Sequence, residues 1–311
     1  VSREMVKFVS SLPKESVVDV SGVLVPAEIK SEALTLRTAE IRADFVVALS
    51  VSAPVLPFQL DDASRLCAAD LLDLGDSEAE TKPEEKTADA QRGETGPRVT
   101  LSTRLDNRVI DLRTSANQAI FRMQAAVVRA ARAFLEAEGF VEIHSPKLIG
   151  AASEGGASVF RVSYFKGAAF LAQSPQFYKQ MAQAAGFERI FEIGPVFRAD
   201  PSFTSRHMTE FTGVDFEISW IDSHEDVMAF TEKWLAYVYQ AVDTKFHDAI
   251  KEYFDVEFEV PTVPFPRLTM SEAFQILKRM DYKLPPERKG DLDPGAERTL
   301  GDYVKQNFGH D

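Results

Sequence analysis

The sequence predicts an α+β fold, an antiparallel sheet flanked by helices and preceded by a small β-rich region. Two observations predict it. Segments with apolar residues at 3–4 spacing alternate with short runs that alternate in polarity or are rich in β-branched residues. The strand-like runs are joined by long loops with helices between them, the connectivity of an α+β layer.

In chain order, a short helical stretch at Glu4–Ser11 precedes two strand-like runs, Val17–Leu24 and Ala33–Val51. Two strands are too few to close a barrel, and Val1 is no initiator methionine, so a missing N-terminal part is expected. Residues 61–98 hold 11 acidic and 5 basic groups, and within them 77–96 has almost nothing to bury, which predicts a linker. From Thr103 a larger region begins. Ser115 and Gln118 have capping-box spacing, and Ile120, Met123, Val127, Ala130 and Phe134 follow as the apolar stripe of a helix. Gly139 stands where a helix C-terminal glycine belongs. A strand at Phe140–Ile143 stops before Pro146, and Ala168–Leu171 reads as another. Ser174 and Pro175 open a helix that runs towards Gly186. Ile190–Arg198 and Phe211–Trp220 are strands joined by a polar loop, and a capped helix starts near Asp222–Glu225 and continues beyond Ala241.

Length and composition bound the possibilities. The 311 residues suffice for about two domains or one large domain with an appendage. With 45% hydrophobic and 27% charged residues, wholesale disorder is excluded. The one cysteine, Cys67, rules out a disulfide scaffold, a cysteine-ligated zinc site and a redox pair within the chain. No apolar run approaches the roughly 18 residues of a membrane span, and no charged-then-apolar leader opens the chain, so a reducing cellular interior is expected. A net charge of −13, from 35 basic and 48 acidic groups, argues against holding nucleic acid by bulk charge.

Three segments carry chemistry. In Phe197–Glu217, alternation puts Thr212, Val214, Phe216, Ile218 and Trp220 on a core face and Phe211, Gly213, Asp215, Glu217 and Ser219 on the other. Arg198, Arg206, His207 and a flat aromatic beside carboxylates suit a triphosphate nucleotide. No Walker or dinucleotide glycine loop is present, so such a nucleotide would be held another way. On spacing alone, an exposed hairpin with ordinary salt bridges fits as well. In Gln173–Met181, Gln176 and Lys179 share a helical face, an amide and an ammonium able to grip a small carboxylate or merely to face solvent. In Ala151–Ala157, Glu154 before two glycines reads as a loop carrying one carboxylate, or as a plain glycine turn.

Taken together these segments resemble the class II aminoacyl-tRNA synthetases, and within them the aspartyl-tRNA synthetases of the archaeal and eukaryotic cytosolic type. The resemblance is carried by Thr103–Thr114 (TRLDNRVIDLRT), Phe140–Ala157 (FVEIHSPKLIGAASEGGA), Phe170–Met181 (FLAQSPQFYKQM), Ile193–Asp200 and Arg206–Glu217 (RHMTEFTGVDFE), in the family's order. It implies ligation of L-aspartate to tRNA(Asp) through an aspartyl-adenylate, with ATP as substrate and Mg²⁺ as cofactor, by a cytoplasmic homodimer with no membrane contact. It implies a partial OB-fold anticodon-binding domain at 1–60, an acidic hinge at 61–102 and a class II catalytic domain at 103–311. By the same resemblance, Arg198 is the motif 2 arginine on the α-phosphate and the substrate carboxylate, and Phe211 stacks on adenine. Asp200, Arg206 and His207 complete the nucleotide side. Gln176 and Lys179 recognise aspartate, Asp215 lies near its ammonium, and Glu154 closes over it. Pro146 ends motif 1 at the dimer interface.

Against the family pattern, Asp200 stands where glutamate is usual, and Pro201 and Phe203 replace a polar pair. The chain stops before motif 3, so its metal ligands are expected beyond Asp311, and the chain alone is expected to be inactive. The alternatives are a catalytically inactive synthetase-like paralogue or fragment acting as a binding module, and an asparaginyl-tRNA synthetase. The latter is disfavoured because its motif 2 closes on a Glu-Pro-Glu string rather than Val214–Glu217, and it lacks the Gln173–Gln180 pattern.

Overall fold

The computed structural model describes residues 2–30, 34, 36–64, 99–152, 159–200, 208–283 and 290–310. The chain divides into two compact units, Val1–Ala63 and Ser64–Asp311. The acidic stretch expected as a linker lies almost wholly outside the described residues, as does Cys67.

The first unit opens with α1 (Arg3–Ser11), whose Ser2 hydroxyl accepts from Met5 N at 3.1 Å. β1 (Val17–Pro26) and β2 (Ala39–Ser50) then pair antiparallel with two register irregularities. The second strand begins later than the expected Ala33. Its apolar residues extend to that point, but the ladder ends where Pro26 meets Ala39. A short α2 (Leu60–Ala63) follows. A two-stranded ladder is what the unit shows, and the expected OB-fold is not built by these strands alone.

The second unit starts with two short helices, α3 (Leu101–Asp106) and α4 (Arg108–Asp111). Asp111 is fully buried and accepts from Arg104 Nε at 2.9 Å, from Arg108, and from Asn117 Nδ2 at 2.9 Å. Three donors offset the cost of burying one carboxylate. The long helix α5 (Ser115–Ala137) is capped by Thr114 rather than by the expected Ser115. Thr114 Oγ1 is already fixed by donating to Asp111 O at 2.8 Å and accepting from Asn117 Nδ2 at 2.7 Å, so the cap falls one residue earlier. Its buried face is an alanine stripe (Ala116, Ala119, Ala126, Ala130, Ala131) closed by Leu135, whereas Ile120 is exposed. Gly139, at φ +79°, ends the helix as its position foretells.

β3 (Val141–Glu142) pairs parallel with β7 (Arg189–Phe197), and β7 pairs antiparallel with β8 (Glu210–Ile218), giving the order β3-β7-β8. The expected antiparallel sheet therefore carries one parallel edge pair. A second antiparallel sheet, in the order β4-β6-β5, combines β4 (Leu148–Ile149), β5 (Arg161–Tyr164) and β6 (Gly167–Leu171). α6 (Gln176–Ala184) follows β6, and α7 (His224–Phe254) follows β8 with a Ser223/Asp226 capping box. Two helices beyond the reach of the sequence reading, α8 (Met270–Arg279) and α9 (Pro294–Phe308), pack on each other through Ile276, Leu277 and Leu300.

One face of β7–β8 supplies the core. Leu135, Phe140 and Phe191 are buried together with Phe216, Ile218, Phe230 and Trp234 around them. Burying each such side chain contributes about 1.5–3 kcal/mol. The alternation assigned to β8 holds for Val214, Phe216 and Ile218. It fails at Trp220, which is 87% exposed at φ +58° because the strand ends at Ile218. Thr212 is likewise exposed.

Candidate active site

The opposite face of the same two strands carries three carboxylates, Glu192, Asp215 and Glu217, among apolar residues and glycines. Register pairs Val196 with Phe211, Gly194 with Gly213, Glu192 with Asp215, and Ile190 with Glu217, so these eight residues share one surface. Its middle is kept flat by the glycine pair. A Cβ on Gly213 would lie 2.9 Å from Asp215 Oδ2, and one on Gly194 would lie 3.2 Å from Glu192 Oε1. The sequence places glycine where side chains of neighbouring residues fold over the backbone.

At one end of this face Lys179 reaches in from α6, with only 5% of its surface exposed. Its ammonium lies 3.6 Å from Asp215 Oδ1 and 3.7 Å from Glu217 Oε2. Glu217 is held further by Gln183. In the orientation that matches donor to acceptor, the Gln183 amide donates to Glu217 Oε1 at 3.0 Å and accepts from Ser219 N and Oγ. No hydrogen bond reaches Glu217 Oε2 among the described residues, although that oxygen is buried. Two carboxylates facing one ammonium leave a net negative corner, which favours a cationic amine. Gln176, at the first residue of α6, is half-buried three positions before Lys179.

At the other end Arg198, just past β7, donates its backbone N–H to Thr209 O at 3.0 Å. Its guanidinium lies over the Phe211 ring, 5.6 Å from the centroid. A cation and a ring face stacked at the edge of this strand pair can receive a phosphate and a flat base. Asp200 is half-buried close by in sequence. Pro146 stands in the segment between β3 and β4. Glu154, Arg206 and His207, with Pro201 and Phe203, lie outside the described residues.

The structure thus brings Lys179 to Asp215 and Arg198 to Phe211 on one sheet face. It also shows two groups that the sequence reading had not singled out as site residues. Glu217 shares Lys179, and Glu192 holds Lys147 and Ser145, with Lys147 Nζ 2.5 Å from Glu192 Oε1. The signal for Glu192 was present: a lone acid inside the apolar run Ile190–Val196, where an unpaired charge would not be tolerated. Among the described residues no group of three or more His, Cys, Asp or Glu side chains is placed to hold a metal ion.

A sequence model of the family described as tRNA synthetases class II (D, K and N) matches residues 100–310, two thirds of the chain. The chain belongs to this family. The matched residues 100–310 include β7, β8 and α6. The chain is 42% identical over 317 residues to a protein of Caenorhabditis elegans named cytoplasmic aspartate–tRNA ligase, and 40% identical over 316 residues to the human protein of that name. All of this chain is aligned in both cases, against 56% and 58% of those relatives, so the chain spans little more than half their length. Among solved structures it is similar to the Entamoeba histolytica aspartyl-tRNA synthetase, with a TM-score of 0.77 at 31% identity over 99% of this chain and 58% of that one. It is also similar to the Pyrococcus horikoshii asparaginyl-tRNA synthetase complexed with asparaginyl-adenylate, with a TM-score of 0.71 at 26% identity, covering 97% of this chain and 60% of that one.

Proposed function

We propose that this class II synthetase chain serves ATP-dependent ligation of L-aspartate to tRNA(Asp) through an aspartyl-adenylate. The observation that carries the reading is the buried Lys179 facing Asp215 and Glu217 on the strand that begins beside Arg198 and Phe211. In the first step an oxygen of the substrate's α-carboxylate bonds to the α-phosphorus of ATP, and the bond to pyrophosphate breaks. In the second, a terminal ribose hydroxyl of tRNA takes the acyl group, loses its proton and releases AMP. Neither step needs a covalent enzyme intermediate. The protein aligns the two anions and neutralises charge that builds on the phosphate.

In this reading Arg198 donates to the α-phosphate and Phe211 stacks on adenine, with Asp200, Arg206 and His207 on the nucleotide and Glu154 closing over the amino acid. Asp215 draws the substrate ammonium, while Lys179 with Gln176 reads the side-chain carboxylate. A neutral amide at that place would leave Lys179 without its third anion, which is how asparagine is rejected. Magnesium enters with ATP. Cytoplasmic location follows the names of the relatives, whereas an anticodon-binding role for 1–60 and a hinge at 61–102 rest on the sequence resemblance alone.

The homodimer is supported by an exposed apolar surface on the first helices of the catalytic unit. Leu105, Val109 and Phe121 are all solvent-exposed, Val109 at 83%. Aspartate-dependent exchange of pyrophosphate into ATP by the full-length protein tests the reaction. Exchange supported by asparagine in preference to aspartate would replace this reading with the asparaginyl one, which the likeness to the Pyrococcus enzyme keeps in view.

A further inference from the structure

We propose that Glu192 is a positioning residue of this site, clamping Ser145–Lys147 to the middle of β7 and so fixing α6 and Arg198 relative to one another. The proposal rests on the adenylate-forming reading above.

β3 runs along β7 for only two residues, and the last backbone rung is Ile143 N to Phe191 O at 2.8 Å. The next donor turns to a side chain instead. Ser145 N donates to Glu192 Oε1 at 3.2 Å, and Ser145 Oγ donates to Glu192 Oε2 at 2.6 Å. Lys147 Nζ completes the set, 2.5 Å from Oε1 and 3.0 Å from Ser145 Oγ. Beyond it, Lys147 O accepts from Ala172 N at 2.9 Å, and Ala172 O accepts from Phe197 N at 3.0 Å. The result is a closed ring: β7 at Glu192, the 145–147 segment, Ala172, and β7 again at Phe197.

Both exits from this ring lead into the site. Ala172 precedes the turn into α6, which carries Gln176 and Lys179, and Phe197 precedes Arg198. The ring therefore joins the proposed amino-acid side to the proposed phosphate side by a path that does not pass through substrate. The chemistry of the clamp is costly for a mere brace. Glu192 is 3% exposed, and a well-packed apolar residue at such a position is commonly as stabilising as a buried ion pair. What the charged group adds is direction, because two oxygens receive three donors at fixed angles. The Lys147 stem is laid flat by Gly194, whose Cβ, if present, would stand 3.4 Å from Lys147 Cε.

The test compares Glu192→Gln, Lys147→Met, the double variant and Lys147→Arg in the full-length protein by steady-state pyrophosphate exchange. All are measured well below their melting midpoints. Each substrate still meets its own half of the site, but in-line alignment is lost, so kcat should fall about 10- to 100-fold in either single variant. KM values for aspartate and ATP should stay within about threefold of wild type. The double variant should be no worse than the poorer single, since both break one clamp. Lys147→Arg should restore most of kcat. Lys147→Met, at the less buried end of the pair, keeps the test open if Glu192→Gln fails to fold. Unchanged kcat with a lowered melting temperature would make the clamp a structural brace, and a raised KM at unchanged kcat would make Lys147 a substrate contact. Either overturns the proposal. The wild-type protein reports on the function reading separately, and the variant ratios are taken with whichever amino acid it activates.

Discussion

Replacing Lys179 by methionine removes the one cation among the described residues that faces both Asp215 and Glu217, at 3.6 and 3.7 Å. With an effective dielectric of about 20, each contact represents roughly 4.5 kcal/mol of Coulomb attraction, offset in large part by the desolvation of all three groups. Breaking a buried pair by deleting one partner costs roughly 3–5 kcal/mol, and here the buried Glu217 Oε2 loses its facing charge. The variant is therefore expected to melt several degrees lower. Its functional effect should be larger on one substrate than on the other. Loss of a charge-assisted contact to aspartate is worth about 1.5–3 kcal/mol, or about 10- to 150-fold in aspartate KM. ATP should be little affected, because Arg198 and Phe211 lie at the other end of the strand pair. The assay is pyrophosphate exchange in the full-length protein with aspartate and ATP titrated separately, below the melting midpoint of the variant. An equal rise in both KM values would refute the assignment of Lys179 to amino-acid choice.

Gly213→Ala places a methyl 2.9 Å from Asp215 Oδ2 and 3.1 Å from Val196 Cγ2, so the carboxylate must move off Lys179. Overpacking of this kind costs about 1–3 kcal/mol, and aspartate KM should rise with it; a wild-type KM would show that the Asp215 position is immaterial. The Glu142 carboxyl is held below its ordinary value, first by hydrogen bonds from Arg132 at 2.8 and 2.9 Å. Stability from a depressed carboxylate is present above the unfolded value of about 4.3 and is lost as pH falls through the folded value. Since Arg132 is more than a third exposed, solvent screening keeps the pair below about 1 kcal/mol. Glu142→Gln should therefore lower the melting temperature slightly at pH 7, and by progressively less as the pH falls through the folded value. Finally, light scattering on the full-length protein should give a dimer, and Val109→Asp should shift it towards monomer; a wild-type monomer at micromolar concentration would remove the dimer from the proposed function.

Where the sequence was readable, local physics set the outcome. The 3–4 spacing from Ile120 to Phe134 foretells α5, and Gly139 foretells its end, because both act within one turn of the backbone. The cap lies at Thr114 and not at Ser115 because Asp111 and Asn117, fixed by tertiary burial, hold the Thr114 hydroxyl. Alternation along β8 correctly separates Val214 and Phe216 from Gly213 and Asp215, then misplaces Trp220, since period alone does not show where a ladder stops. The meeting of Lys179 with Asp215 was expected only from the family resemblance. The Glu192 clamp spans 45 to 47 residues of sequence and depends on how far β3 follows β7, which no local pattern encodes. The short strands β4 and β5 escape for the same reason, being defined by the partner β6.

The exposed Trp220 gives the molecule a built-in optical reporter. The chain has two tryptophans, and the other, Trp234, sits among Phe216 and Phe230 with its indole nitrogen buried. Emission from Trp220 should lie to the red and be quenched readily by iodide, while that from Trp234 should lie to the blue and resist quenching. Trp220 directly follows Ser219, whose backbone and hydroxyl are bound by the Gln183 amide that also holds Glu217. If aspartate occupies the Lys179 corner as proposed, that chain of contacts links it to the red fluorophore, and a titration with aspartate should change Trp220 emission without any added label.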